Sequence, residues 1–414
     1  MLPDSRLHDH VVDWAESGVV ALTGHDGGPC IVPPGHAASR ARRLSKWVAA
    51  VARSTGRELA IDGAHMLAER AALTNGHRRG RVSVGGASRL LRTSDGWAVV
   101  SCARPDDPAL LGAVVGAAID ADDPWPAIRA WVREHPGSEL AERAELVGVA
   151  AGPVMHREPV VRPAPQRPRS VEGLLVVDFS ALWAGPLCAH LLGLAGARVV
   201  KVETPSRPDG ARRGEPAFYA LLHAGHESVV LDPADSAERA ALIALVDRAD
   251  IVIEASRPRA LAGFGLDAHA AVARGATWVS ITAAGRASAR IGFGDDVAAS
   301  AGLVACDAAG EPVFVGDAIA DPLTGLTAAA LAMSAPASGQ EPGMLWDISM
   351  TDVVAGTLSR DHVPPVRLHR NRWYIESEGE VVPVGEPQAR QPSGAAAAPG
   401  ADTARVLRSL GIRT

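Results

Sequence analysis

The stretch VEGLLVVDFSALWAGPLCAHLLGLAGARVVKVETP (Val171–Pro205) decides the fold. LLVVDF (174–179) and ARVVKVE (197–203) are short β-branched runs with little polar alternation, the pattern of strands covered on both faces in a parallel sheet. Between them GPLCAHLLGLAG is helical in pattern. Working outward, SVVLD (Ser228–Asp232), DIVIEA (Asp250–Ala255) and TWVSIT (Thr277–Thr282) repeat the strand type. DSAERAALIALVDRA before the fourth run opens with Asp235 and Glu238 at capping-box spacing. Strand and helix therefore alternate, which predicts an α/β, doubly wound, mainly parallel sheet of Rossmann-like type over about 171–335. No G-x-G-x-x-G follows the first strand, and the G-x-G at Gly292 and Gly294 lacks a strand-turn-helix context, so NAD binding is discounted.

The rest of the chain bounds the function. Its 414 residues allow two or three domains, and 47% hydrophobic with 21% charged residues is the composition of a globular protein with a large core. A formal charge of −6 excludes a nucleic-acid-coating surface, and nothing favours a membrane surface. Cys30, Cys102, Cys188 and Cys306 form no C-x-x-C pair, so they read as buried thiols in a reducing compartment. The first residues lack the apolar stretch of a signal peptide, and no run approaches the roughly 18 residues of a membrane span, so a cytoplasmic location is expected. Residues 152–170, with prolines at 153, 159, 163, 165 and 168, read as a stiff linker.

A faint duplication precedes that linker. ESGVVALTGHDGGPCIVPPGHAA (Glu16–Ala38) parallels SAGLVACDAAGEPVFVGDAIAD (Ser300–Asp321), placing Ala38 opposite Asp321. LAIDGAHMLAERAAL (Leu59–Leu73) lies opposite WDISMTDVVAGTL (Trp346–Leu358), pairing Ala60 with Asp347 and His65 with Asp352. The first copy would then have lost its acidic residues. Asp321-Pro322 ahead of LTGLTAAALAM also reads as a helix start, with Asp as N-cap and Pro at the first helical position. Asp317 is its nearest rival, and the adjacent pair Asp295 and Asp296 reads as a solvated helix start that cannot share a proton.

Val171–Pro205, together with SVVLD, ADIVIEASRPRALAGFGLD (Ala249–Asp267), GFGDDVAASAGL (Gly292–Leu303) and IADPLTGLTAAALA (Ile319–Ala332), resembles the class III CoA-transferases, which include α-methylacyl-CoA racemase. The resemblance rests on A-G-P, V-x-K-V-E and D-x-x-x-G in order, and PGADTARVLRSLGI (399–412) is similar to the family's C-terminal helix. It implies a Rossmann-like large domain with a smaller α+β domain. It divides the chain into 1–151, a degenerate copy of the family's later part whose TSDGWAVVSC (Thr93–Cys102) resembles the entry to the small domain, the linker 152–170, a CoA-binding and catalytic domain at 171–335, and a segment 336–414 returning to the large domain.

The resemblance further implies that Asp321, in D-x-x-x-G, attacks an acyl-CoA thioester, and that CoA moves to a carboxylic acid through an aspartyl anhydride and aspartyl-CoA. Leu182, Trp183 and Ala184 would pack on the nucleotide, Trp183 serving either there or as core, and Arg257 would meet a phosphate. The substrates would be a CoA thioester and an acid, with no permanently bound cofactor, no metal and a homodimeric assembly. Three positions depart from the family: Thr204, GHES (225–228) and GFG (292–294). Phe293 stands where the racemases carry a proton-exchanging histidine, so transfer is preferred to racemisation. His223 and His226 read as surface or satisfied core residues, and His8-Asp9-His10 as too local for a metal site. The alternative is a non-catalytic CoA-binding or partner-stabilising relative.

Overall fold

The β-branched runs become five strands of a six-stranded, wholly parallel sheet in a computed structural model that describes residues 10–155, 164–256, 258–335, 343–359, 363–377 and 380–413. The strands are β1 (Leu175–Asp178), β2 (Arg198–Glu203), β3 (Glu227–Val230), β4 (Ile251–Glu254), β5 (Thr277–Thr282) and β6 (Met344–Ser349), in the order β3-β2-β1-β4-β5-β6. Val176 of β1 pairs with Val199 of β2 on one side and Ile251 of β4 on the other. The winding reverses between β1 and β4, and a sheet of this type opens its ligand crevice at the carboxyl ends of those strands. The sixth strand escaped the sequence pattern for a physical reason: β6 is an edge strand with its first four residues partly exposed, so it carries no buried apolar run.

The first face of the sheet is covered by α1 (Ala184–Leu194) and α3 (Ala320–Ala332), which lie against each other. Gly325 makes that approach possible, because a Cβ there would sit 2.6 Å from the Ala184 carbonyl oxygen. The helix Ala37–Arg53 packs on α3, and Trp14, Val48 and Leu67 share one core with Leu187, Leu191 and Leu326. The segment before residue 75 is thus built into the same hydrophobic layer as α3. The opposite face buries Val177, Val200, Leu245 and Trp278 with Val406 and Leu407 of the C-terminal helix Thr403–Ser409.

A smaller α+β unit stands apart with its own core. Strands Ser88–Arg92, Trp97–Ser101 and Ala151–Pro153 form an antiparallel sheet carrying helices Asp107–Val115, Trp125–Glu134 and Gly137–Val147, and Leu91, Val100, Leu111, Ile128 and Leu140 pack between them. Leu90 and Val99 on the sheet's other side pack with Ala299 of α2 (Gly294–Ala301) and Phe314, joining this unit to the larger one.

The proline-rich stretch is ordered where it is described: Gly152 and Pro153 finish the small sheet, and Arg167–Pro168 pairs with Ser334–Ala335. Of the cysteines, Cys30 and Cys188 are buried, Cys102 is half-buried and Cys306 is exposed, so the expectation of four buried thiols fails at Cys306, on the short hairpin Val304–Cys306/Pro312–Phe314. Among the described residues no helix is long and apolar enough to cross a membrane.

Candidate active site

The site is assembled where the loop after Phe314 turns into α3. Gly316 (φ 64°) and Ala318 (φ 47°) both take the left-handed conformation, which costs an alanine roughly 1–2 kcal/mol. The Ala318 amide offsets part of this by donating to Asp295 Oδ1 at 2.8 Å. The turn places Asp321 as the second residue of α3, behind Ile319 at the N-cap, which makes no side-chain cap. Asp321 is therefore not the helix cap that its spacing with Pro322 suggests. Its carboxylate instead lies against the backbone of Gly294, the first residue of α2, whose N–H favours the ionised form. Gly294 is fixed by the approach: a Cβ would lie 2.6 Å from Asp321 Oδ2.

Four carboxylates meet here, and they differ in burial. Asp295, Asp296 and Asp317 are buried, whereas Asp321 remains partly accessible. The expectation of a solvated pair at Asp295 and Asp296 is corrected, because the small sheet and the Asp317 loop close over the start of α2. The two side chains diverge, as their adjacency on a helix requires. Asp295 turns to Ala318, while Asp296 Oδ1 accepts from the Phe293 amide (2.7 Å) and Ser101 Oγ (3.1 Å). Burial pushes the Asp321 carboxyl up to about 7, against the pull of Arg70 and with the help of the Asp295 and Asp296 charges. Burial likewise raises Asp295 to about 7, with Asp317 adding to it, and Asp296 to about 6.

Arg70 is the site residue that sequence reasoning missed. It comes from the short helix Glu69–Thr74 of the N-terminal segment and donates through Nε (2.8 Å) and Nη2 to the two oxygens of Asp317. Its guanidinium lies 5.2 Å from the centre of the Trp183 ring. Neighbouring Glu69 accepts from Arg390 Nε (2.5 Å) and Nη2 (2.8 Å), so the short helix is clasped to both later parts of the chain. Contact across 247 positions carries no local signature, which is why no spacing pointed to it.

The turn after β1 is held by buried charge. Asp178 Oδ1 accepts from the Ser180 amide (2.8 Å) and hydroxyl (2.5 Å), and Lys201 Nζ donates to the Ser180 carbonyl and to Asp209 Oδ2 (3.0 Å). Burial works against the Lys201 charge, but Asp178 and Asp209 outweigh it and leave the ammonium harder to deprotonate than usual. The lysine and glutamate of V-x-K-V-E are thus scaffolding: Glu203 accepts from Arg212 Nε at 2.9 Å and from the Asp209 amide at 2.8 Å. Leu182 (φ 70°) stands exposed at the tip, Ala184 is buried, and Trp183 is fully buried edge-on to Phe218 at 5.1 Å, a core position beneath Arg70. Arg257 lies outside the described residues. A cavity of about 490 Å³ opens at the carboxyl end of β4, where Glu254 accepts from Trp278 Nε1 (3.0 Å) and from Arg286.

His223 and His226 are neither surface nor satisfied. Both are buried near His190, with both ring nitrogens of His223 and Nδ1 of His226 lacking a hydrogen-bond partner among the described residues. Phe293 caps α2 and offers no exchangeable proton. His8 and Asp9 lie outside the described residues, and among the described ones no group of three or more His, Cys, Asp or Glu is arranged to hold a metal.

With the fold and this carboxylate site in view, the chain matches CoA-transferase family III over residues 171–377, half of its length, and it belongs to that family. It is 29% identical over 253 residues to the succinate–glutarate CoA-transferase of Agrobacterium fabrum, covering 54% of this chain and 62% of that one. It is 31% identical over 110 residues to the acetyl-CoA:oxalate CoA-transferase of Acetobacter aceti, covering 25% of this chain and 28% of that one. A solved CAIB/BAIF family protein from Brucella suis is 27% identical over 46% of this chain and 55% of that one, with a TM-score of 0.41. The chain spans less than two thirds of the length of these relatives.

Proposed function

We propose that the protein moves CoA from an acyl-CoA to a carboxylic acid, with Asp321 as the nucleophile. The observation that carries this reading is that Asp321, at the start of α3, is partly accessible while Asp295, Asp296 and Asp317 beside it are buried, with the Gly294 backbone close against its carboxylate. An Asp321 oxygen attacks the thioester carbonyl, the C–S bond breaks, and an acyl-aspartyl anhydride and CoA thiolate form. The thiolate then attacks the aspartyl carbonyl, releasing the first acid as its carboxylate and leaving aspartyl-CoA. The acceptor carboxylate displaces CoA thiolate from that thioester, and the thiolate attacks the new acyl carbon, regenerating Asp321. Every intermediate keeps an activated acyl bond, so the exchange is close to thermoneutral, and water must be kept out. The Gly294 N–H is placed to steady charge on the Asp321 carbonyl as each adduct collapses.

Leu182, Trp183, Ala184 and Arg257 are proposed to border the CoA nucleotide, with Leu182 making the contact and Trp183 supporting the turn from below. Residues 1–151 are proposed as a degenerate copy of the later part. Supporting this, helix Ala37–Arg53 begins opposite the start of α3, and Gly63–Met66 begins opposite the helix Met350–Ala355, in the register that pairs Ala38 with Asp321 and His65 with Asp352. A homodimer and a cytoplasmic location complete the reading. The test is turnover: acyl-CoA and carboxylate pairs screened by mass spectrometry should yield new CoA thioesters with the native chain and none with Asp321→Ala. Failure of every pair with the native chain would favour a non-catalytic, CoA-binding relative.

A further inference from the structure

Arg70 stands outside the family-matched residues, yet its charge is the first cationic influence on Asp321. Its fork is half used. Nε and Nη2 are committed to Asp317, which is 1% accessible, and Nη1 has no hydrogen-bond partner among the described residues. The Arg70 side chain is itself 27% accessible, so the residue stands within reach of a solute although its partner Asp317 is sealed. The plane is fixed from two sides, by the bidentate carboxylate and by the Trp183 ring. A guanidinium so held loses little further rotamer freedom on binding a second carboxylate. The chain contains an example of such multiple use: Arg42 holds Asp13, Glu16 and Asp62 at 2.5, 2.6 and 3.0 Å.

The chemistry requires such a group. An acceptor acid is an anion at neutral pH, and it must approach aspartyl-CoA through a region that already contains Asp295, Asp296 and Asp317. Without a cation, like-charge repulsion would oppose the acid at the step where its oxygen attacks.

Resting on the reading of Asp321 as nucleophile, we propose that the open edge of Arg70 receives the carboxylate of the acid substrate. The N-terminal segment then supplies part of the active site within the same chain. The clasp of Glu69 by Arg390 and of Arg70 by Asp317 serves to set that edge beside α3.

Steady-state kinetics with separate titration of the acid and the acyl-CoA test this, using Arg70→Lys and the paired variant Arg70→Gln/Asp317→Asn, which removes the carboxylate that Arg70 pairs with directly. The expected result is a rise of at least tenfold in the KM for the acid with less than threefold change in the KM for acyl-CoA, and a smaller rise for Arg70→Lys. Equal changes in both KM values, or a fall in kcat alone, would overturn the role. Succinate titrated into the native chain and the paired variant by calorimetry gives a readout that needs no turnover. Heat of binding in the native chain that vanishes in the variant supports Arg70 as the carboxylate receiver even where the transfer reaction fails. Equal binding in both, or none in the native chain, overturns it.

Discussion

Replacing Asp321 by Asn keeps the volume of the side chain and an oxygen for the Gly294 N–H, but removes the ionisable group. The native carboxyl is pushed up to about 7 in the fold, chiefly by burial, against 3.8 for an unburied aspartate. A raised carboxylate value means that the folded state holds its proton more tightly than the unfolded chain. The cost is therefore absent below pH 3.8, grows as pH rises through that window, and is complete above about 7. A shift of this size corresponds to an upper bound of about 4 kcal/mol, and the side chain's residual contact with water lowers it to roughly 2–4 kcal/mol. Asp321→Asn should thus be more stable than the native chain at pH 8, by a few degrees in melting temperature, with the gap shrinking towards pH 4. CoA transfer should be abolished, because an amide cannot form the anhydride. Thermal melts at pH 4, 6 and 8, with turnover at pH 8, check both halves. A variant that is less stable at pH 8, or one that still transfers CoA, refutes the reasoning.

Three other perturbations follow from the geometry. Gly294→Ala places a methyl 2.6 Å from Asp321 Oδ2, so kcat should fall at least roughly tenfold while overpacking costs about 1–3 kcal/mol, read by turnover and urea unfolding. Lys201→Met leaves Asp178 and Asp209 buried without their cation, a loss of about 3–5 kcal/mol that calorimetry should register as a lower melting temperature. His226 is held down to about 3 in the fold, chiefly by burial and then by Lys201, against 6.5 when free. Its neutral form therefore stabilises the protein above 6.5, and that contribution is lost as pH falls from 6.5 towards 3. His226→Leu should lose about 1 kcal/mol less than the native chain between pH 7.5 and 5.5 in urea unfolding, and equal losses would contradict it.

The doubly wound sheet was legible because β1, β2, β4 and β5 are buried on both faces, so burial is written as runs such as LLVVDF and TWVSIT. β6 was not, since an edge strand with partly exposed Trp346 and Asp347 has no such run. The spacing of Asp321 alone reads as a cap, because D-P before an apolar run is also the pattern of a helix that has already begun one residue earlier. Asp296 is met by Ser101, from a strand nearly 200 positions earlier, and Arg70 meets Asp317 across a gap of 247. Such pairings arise from how layers stack, and periodicity along one segment does not contain them.

CoA transfer through Asp321 requires a covalent adduct at that one side chain. Native protein mixed with an acyl-CoA that it turns over, quenched with hydroxylamine and digested, should carry a hydroxamate on the Asp321 side chain by peptide mass spectrometry. Turnover with Asp321 unmodified, or with the label on Asp295 or Asp317 instead, would contradict it.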